Sequence, residues 1–154
     1  MSLAAGGSFY DRAIAMELNR QALRDHVVID ENPHDCIRKM EANFPFGSSR
    51  PDWSRMHVHV KGALDENPAE QVLQFMIQMN ARYHLDDRIT YLGDSLTDHA
   101  YHCRLQTAMA LLPCILDIPQ HHYFVHAGFL WLFAVSFEGD LDFGANVDLI
   151  KQRA

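Results

Sequence analysis

The sequence predicts a single α+β domain in which helices pack on one face of a mostly antiparallel sheet that ends in a C-terminal β-meander. Helical spacing of apolar residues dominates the first two thirds of the chain, whereas the last third is a series of short aromatic and β-branched runs separated by turn residues. Regular alternation of strands and helices, which a parallel sheet would require, is missing from the pattern. The 154 residues fit one domain, placed at 9–150, with 1–8 expected to be a disordered N-terminus or a cloning remnant.

Three helices are predicted before residue 85. The first covers the helical spacing of Phe9–Arg24, and the next two each follow a copy of Asp-Glu-Asn-Pro, at 30–33 and 65–68. In each copy the asparagine is expected to cap the helix and the proline to occupy its first position. These two helices are predicted to end near Asn43 and Tyr83. The second is expected to bury Val72, Phe75, Met76 and Met79.

Strands are predicted where apolar residues alternate with polar ones or form short runs. Met56–Val60 alternates apolar residues with His57 and His59, which indicates a half-buried strand. A fourth helix is predicted from Tyr101 to Leu112, where Pro113 would end it. The other predicted strands are 26–29, 89–92, 121–126, 130–137 and 140–143, and the last three form the meander.

The charge distribution disfavours several classes of partner. The formal net charge is -7, and no lysine or arginine lies between Arg104 and Lys151. Nucleic-acid binding needs a basic stripe, and anionic membranes repel an acidic surface. The longest apolar run, 128–135, is too short to span a bilayer, and three cysteines without a CxxC pair are typical of a reducing compartment. The sequence therefore predicts a cytoplasmic protein that binds neither nucleic acid nor membrane.

Tyr91–Asp98 reads YLGDSLTD and resembles the first block of the GDSL-type esterases, which implies that Ser95 is a nucleophile. Such an enzyme also needs a histidine base and an acid that orients it. In that family the serine lies near the N-terminus and a histidine block lies near the C-terminus. Here Ser95 lies past the middle, and the last histidine, His126, precedes the Gly-x-Asn-like segment 144–146. A turn is therefore the favoured interpretation, and a GDSL-like serine hydrolase stays an alternative.

Ten histidines raise the question of a metal site. His57 and His59 share a strand face and, with His99 or His102, would offer ligands for Zn²⁺ or Fe²⁺. The sequence contains no HExxH motif and no paired CxxC, and histidine is tolerated on the polar face of a strand. We therefore predict no metal and no cofactor, with a small metal-dependent hydrolase as the alternative.

Carboxylates concentrate near the C-terminus and beside Ser95. Glu138, Asp140 and Asp142 alternate with apolar residues, and two arrangements are open: a continuous strand with the acids on one face, or a hairpin turn at Glu138-Gly139. In both arrangements the negative charges are close together and would attract a cationic partner. Reversal of charge at Asp140 and Asp142 is expected to slow association without loss of the fold. The predicted partner-binding residues are Asp94, Asp98, Glu138, Asp140 and Asp142.

The last third, LLPCILDIPQHHYFVHAGFLWLFAVSFEGDLDFG, resembles the closing layout of small bacterial immunity proteins of contact-dependent and other polymorphic toxin systems. The shared features are a helix, an IPQHHYF strand, a strand with a tryptophan and an SFEGDLDFG hairpin. The resemblance implies binding without catalysis, with an acidic face that covers a basic toxin domain. The functional prediction is therefore a non-enzymatic, acidic protein-binding domain.

Overall fold

The computed structural model of the protein describes residues 7–150. Its helices are α1 (Phe9–Arg20), α2 (His34–Asn43), α3 (Pro68–Tyr83) and α4 (Leu105–Leu116). Its strands are β1 (Val28–Asp30), β2 (Val58–Lys61), β3 (Arg88–Gly93), β4 (Ala100–Arg104), β5 (His122–His126), β6 (Trp131–Val135) and β7 (Leu141–Ala145). None of the helices within these residues combines the length and the apolar character that a bilayer crossing requires.

The seven strands form one sheet in the order β1-β4-β3-β5-β6-β7-β2, and every pairing is antiparallel. Strands β5, β6 and β7 are neighbours in chain order, so the predicted C-terminal meander is confirmed. Strand β1 forms one edge of the sheet and β2 the other. The α+β class is confirmed by this antiparallel sheet and its four helices.

Helices cover the sheet unequally on its two faces. On one face α1, α3 and α4 enclose the main core, which includes Trp131 and Phe133. On the other face α2 and the segment 44–56 cover a smaller core around Leu132 and Ala134. The segment 44–56 has no strong helical or strand pattern in the sequence. Together with α2 it buries strand residues that the alternating pattern alone would place in contact with solvent.

The first helix begins at a cap that lies in the predicted N-terminal extension. The Ser8 hydroxyl accepts a hydrogen bond from the backbone of Asp11, and the Asp11 carboxylate accepts one from the Ser8 backbone, which completes a capping box. Residues 1–6 of the predicted extension lie outside the described residues. Ser8 is therefore the N-cap residue of α1.

The prediction for 101–112 was wrong in two respects. Ala100–Arg104 is strand β4, because it pairs with β1 on one side and β3 on the other, and α4 begins only at Leu105. Pro113 does not end α4, which continues to Leu116. The proline lies on the exposed side, whereas Leu112 and Ile115 are buried against the core and hold the last turn in place.

The repeated Asp-Glu-Asn-Pro segment is an Asx turn that leads into a helix. The carboxylates of Asp30 and Asp65 each accept the backbone N–H two residues later, at 2.9 Å. Asn67 is the N-cap residue of α3, as predicted, although its side chain makes no cap bond. The cap predicted at Asn32 was wrong, because the N-cap residue of α2 is Pro33. Pro68 is the first residue of α3, as predicted, whereas α2 begins one residue after Pro33. The predicted ends of α2 and α3 are confirmed.

Candidate functional site

Several connections meet at one end of the sheet because of the strand register. Gly93 pairs with His122, His122 with Val135, and Val135 with Leu141. The end of β3, the start of β5, the end of β6 and the start of β7 are therefore neighbours, and the end of β2 lies beside the start of β7. The connections at this end, which we term the acidic end, include 62–67, 94–99, 117–121 and 136–140.

The acidic end is strongly negative. Its four connections contain no lysine or arginine. Four of the five predicted partner-binding residues lie here and have exposed or half-exposed side chains: Asp94, Asp98, Glu138 and Asp140. The strand register thus brings Asp94 and Asp98 to the same end as Glu138 and Asp140, at least 40 positions later in the chain. The carboxylates of these connections are Asp65, Glu66, Asp94, Asp98, Asp117, Glu138 and Asp140.

Two cations reach the acidic end from neighbouring segments. Arg50 pairs with Glu138 at 2.8 Å, and Lys61 pairs with Asp140 at 3.2 Å. A backbone hydrogen bond and Arg50 hold the pKa of Glu138 below its usual range, and Lys61 does the same for the pKa of Asp140. Both carboxylates are therefore ionised at neutral pH. Because both pairs are exposed, they contribute little to stability and can be exchanged for a partner's cations.

The segment 136–140 is a hairpin turn, which decides between the two arrangements left open by the sequence. The Ser136 backbone N–H donates to the carbonyl of Asp140, and Gly139 has a φ of +97°, a conformation that favours glycine. Phe137 lies in this turn with 64% of its surface exposed. In the sequence, only the position of Phe137 next to the Glu138-Gly139 turn signal indicates that its side chain is exposed. An exposed aromatic ring thus lies among carboxylates.

The prediction that Asp142 belongs to the exposed surface was wrong. Asp142 is the second residue of β7, its side chain is 6% exposed, and its Oδ1 lies 2.7 Å from Nε2 of His59. Trp53 from the segment 44–56 stacks on the partly exposed ring of His59 at 5.2 Å. The residue alternates with the core residues as the sequence suggests, but its face of the sheet is covered. Charge reversal at Asp142 would therefore bury an unpaired charge, so it does not test a surface.

His121 links two connections of the acidic end. Its Nδ1 accepts the backbone N–H of Phe137 at 2.9 Å, and its own backbone N–H donates to the Asp94 carboxylate at 3.0 Å. Because Nδ1 is an acceptor, the ring proton lies on Nε2, 3.9 Å from the other Asp94 oxygen. These bonds fix the turn that carries Phe137 relative to the connection that carries Asp94.

Ser95 has the surroundings of a turn residue. Its hydroxyl lies 3.2 Å from Asp94, and none of the described histidines has a ring nitrogen in hydrogen-bond contact with it. The nearest relation is Ser95 to Asp94 to His121, in which an acid stands where a serine hydrolase needs its base. The backbone N–H groups of Ser95 and Leu96 donate instead to the buried carboxamide of Gln120.

Gly93 is required by this turn. A Cβ at residue 93 would lie 1.9 Å from Nε2 of Gln120 and 2.3 Å from the hydroxyl of Thr97. Gln120 also donates to Tyr91 and Thr97, so its carboxamide is held on every side. The Gly-Asp-Ser turn thus follows from the packing of Gln120, a residue whose role has no signature in the sequence.

We expect Gly93→Ala to lower the free energy of unfolding by about 1–3 kcal/mol, because the added methyl group must displace the buried Gln120 carboxamide. Ser95→Ala removes only an exposed hydroxyl and is the matched control, with an expected change within about 0.5 kcal/mol. Urea denaturation followed by circular dichroism measures both. Equal stabilities of the two variants would contradict this account of the turn.

The histidines considered as metal ligands lie apart in the structure. His59 pairs with Asp142, His99 lies 3.8 Å from Asp11, and His102 lies 3.4 Å from Asp30. His57 is exposed, one residue before β2. The set of His57 and His59 with His99 or His102 is therefore not brought together.

Two cavities adjoin the turn 136–140. One has a volume of about 190 Å³ and is lined by residues that include Arg50, Trp53, Lys61, His121 and Tyr123. The Tyr123 side chain is buried, which raises its pKa to about 12, so it stays neutral. The other cavity has a volume of about 340 Å³, and its lining includes Leu64, Asp65, Pro68, Asp117, Pro119 and Phe137. The turn thus projects between two concave surfaces.

The acidic end combines exposed carboxylates, two exchangeable ion pairs, an exposed phenylalanine and two adjoining cavities. Such a surface can attract a cationic macromolecule and anchor it. In comparisons of this chain with family models, curated proteins and solved structures, no match was found.

Proposed function

We propose that the protein is a non-enzymatic binding domain whose acidic end covers a basic surface of another protein. The proposed partner is a cationic toxin domain, and the protein would act as its immunity protein in the cytoplasm. Phe137 carries the proposal, because a phenylalanine that is 64% exposed beside Glu138 has no role in the core. Aromatic side chains of this kind are frequent anchors in protein interfaces.

The charges around Phe137 support a cationic partner. Glu138 and Asp140 flank the anchor in the same turn, and Asp94 is tied to that turn through His121. Carboxylates in this arrangement raise the rate at which a basic partner associates, whereas a buried aromatic anchor mainly slows its dissociation. The two effects are separable by mutation.

The hydrogen bonds within the acidic end also support binding. Hydrogen bonds fix the connection 94–99 to Gln120 and Asp11, and His121 fixes the turn 136–140. A surface that is ordered before association loses less conformational entropy when the complex forms. The same bonds leave Ser95 without a base, which favours binding over the serine hydrolase alternative.

Charge reversal of Glu138 and Asp140 to lysine is expected to slow association with the toxin domain roughly tenfold at low salt. The probe is the C-terminal domain encoded by the gene immediately upstream, and biolayer interferometry at several salt concentrations measures the rate. Asp25→Lys with Asp87→Lys is the matched control, because it makes the same change in net charge at the opposite end of the sheet. Equal association rates for the two double variants would contradict the assigned surface.

Phe137→Ala is expected to raise the dissociation rate about 30-fold, the effect of losing roughly 2 kcal/mol of anchor contact, with an unchanged association rate. The side chain is exposed, so the stability of the free protein should not change. Growth of cells that express the toxin domain should be rescued by the parent protein and less by the variant. A neighbouring gene product that forms no 1:1 complex with the parent protein would overturn the proposal of an immunity protein.

A further inference from the structure

A second group of functional side chains lies on the face covered by α2, near the β1 edge of the sheet. Asp30 ends β1, Cys36 lies in the first turn of α2, and His102 lies in β4. One oxygen of Asp30, the sulfur of Cys36 and one nitrogen of His102 all lie within 4.8 Å of one another. All three side chains are half-buried, so they are held by the fold and are still reached by solvent.

From this geometry we infer a zinc site formed by Asp30, Cys36 and His102, with a water molecule in the fourth position. A thiolate, an imidazole and a carboxylate are the three ligand types that Zn²⁺ accepts in proteins. In a tetrahedral zinc site with bonds of about 2.0–2.1 Å, a nitrogen and an oxygen ligand are about 3.3 Å apart. Nε2 of His102 and Oδ2 of Asp30 already lie 3.4 Å apart.

Neighbouring groups orient two of these ligands. Oδ1 of Asp30 accepts the backbone N–H of Asn32 at 2.9 Å, which leaves Oδ2 directed at His102. Nδ1 of His102 lies 2.7 Å from the hydroxyl of the buried Thr90, its neighbour across the strand pair. In the tautomer that binds a metal through Nε2, Nδ1–H donates to this hydroxyl. Hydrogen bonds of this kind, from neighbouring groups to the ligands, orient the ligands of known zinc sites.

Proton exchange at Cys36 would make zinc binding depend on pH. Zinc binds the thiolate form of a cysteine, so the Cys36 thiol must give up its proton when the ion binds. Zn²⁺ binding breaks the S–H bond, forms the Zn–S bond and releases one proton to the buffer. The ion would connect β1, α2 and β4 and would so hold α2 against the second face of the sheet. This inference is independent of the proposed partner at the acidic end.

Co²⁺ titration of the full chain, freed of tags and treated with chelator, tests the inference. The parent protein is expected to bind one equivalent and to show a thiolate-to-cobalt charge-transfer band in the near ultraviolet with the visible bands of tetrahedral Co²⁺. The charge-transfer band should be lost in Cys36→Ser, and Zn²⁺ affinity should fall at least tenfold in His102→Gln and about tenfold in Thr90→Val.

Cys114→Ser and His57→Gln are the matched controls and should keep the parent spectrum. Circular dichroism confirms that each variant is folded before titration. In calorimetry the parent protein should release about one proton per Zn²⁺, and Cys36→Ser should release fewer. A parent protein without the charge-transfer band, or a band that persists in Cys36→Ser, would overturn the site.

Discussion

Asp11→Asn is expected to lower the free energy of unfolding by about 2–4 kcal/mol, although the two side chains have nearly the same size. Asp11 is 3% exposed and its carboxylate accepts bonds from the backbone and hydroxyl of Ser8 at 2.8 and 2.9 Å, and from Tyr101 at 2.5 Å. It also accepts the backbone N–H groups of Asp98 and His99 at 2.6 and 3.3 Å. The carboxamide of asparagine turns two N–H donors toward a site that contains only donors and hydroxyl groups.

Titration of Asp11 gives this prediction a second readout. Burial alone would raise the pKa of Asp11, but the bonds from Tyr101, Asp98 and Ser8 outweigh it and lower the pKa below its usual value. A carboxyl whose pKa is lower in the folded state stabilises the fold above its unfolded pKa, near 3.9. That stabilisation is lost as the pH falls through the folded pKa, and Asp11→Asn should lack this loss.

Urea denaturation at neutral pH measures the effect of Asp11→Asn. Asp35→Asn is the matched control, because Asp35 also lies in the first turn of a helix but is exposed, and its pairs with Arg38 and Lys39 are surface pairs. Its expected effect is small, because exposed ion pairs contribute little to stability. Destabilisation of the same size in both variants would show that Asp11 acts only through its helix position.

Asp11 also connects the fold to the acidic end. Its carboxylate joins the start of α1 to the backbone of the connection 94–99, almost 90 residues later in the chain. Loss of these bonds should therefore loosen the connection that carries Asp94 and Asp98. The sequence shows Asp11 only as an acid in the first turn of a helix, since nothing local marks the distant donors.

The parts of the fold that the sequence predicts are those determined by neighbours in the chain. The meander β5-β6-β7 follows from short apolar runs and intervening turns, and α3 follows from its buried stripe. Strand β4 was missed because its evidence is pairing with β1 and β3, and its residues also fit a helical pattern. Local propensity yields here to tertiary context.

The same distinction between local and distant contacts applies to the candidate site. Four of the predicted acids share one end of the sheet because turns of an antiparallel sheet alternate between its two ends. Asp142 was misplaced because Trp53 and its neighbours cover the second face, and an irregular segment such as 44–56 gives no periodic signal. Arg50 and Lys61 were missed because they lie about 80 to 90 residues from the acids they contact.

His122 is the second residue whose substitution is expected to have a large effect on the stability of the fold. It is 3% exposed, its Nδ1 lies 2.7 Å from the hydroxyl of Tyr91, and its Nε2 lies 3.0 Å from the carbonyl of Ile118. A carbonyl only accepts, so Nε2–H donates to Ile118 and Nδ1 accepts from Tyr91. Tyr91 in turn accepts from Gln120. The network is satisfied only by the neutral ring.

Acidification is therefore expected to destabilise the protein through His122. Burial lowers the pKa of His122 from 6.5 to about 4 in the folded state. Because the unfolded chain binds this proton more readily, the contribution of His122 is fully present above about pH 6.5 and is lost as the pH falls toward 4. Between neutral pH and about pH 4.5 the expected loss is about 2–3 kcal/mol.

Comparison of His122→Gln with the parent protein isolates this contribution. Glutamine can donate and accept but does not titrate, so the variant should be less stable at neutral pH and should lose less stability on acidification. His57→Gln is the control, since it makes the same change of side chain at an exposed position outside the His122 network. If urea denaturation gave His122→Gln and the parent parallel stability curves from pH 7 to 4.5, the neutral ring would not be what the fold requires at this position.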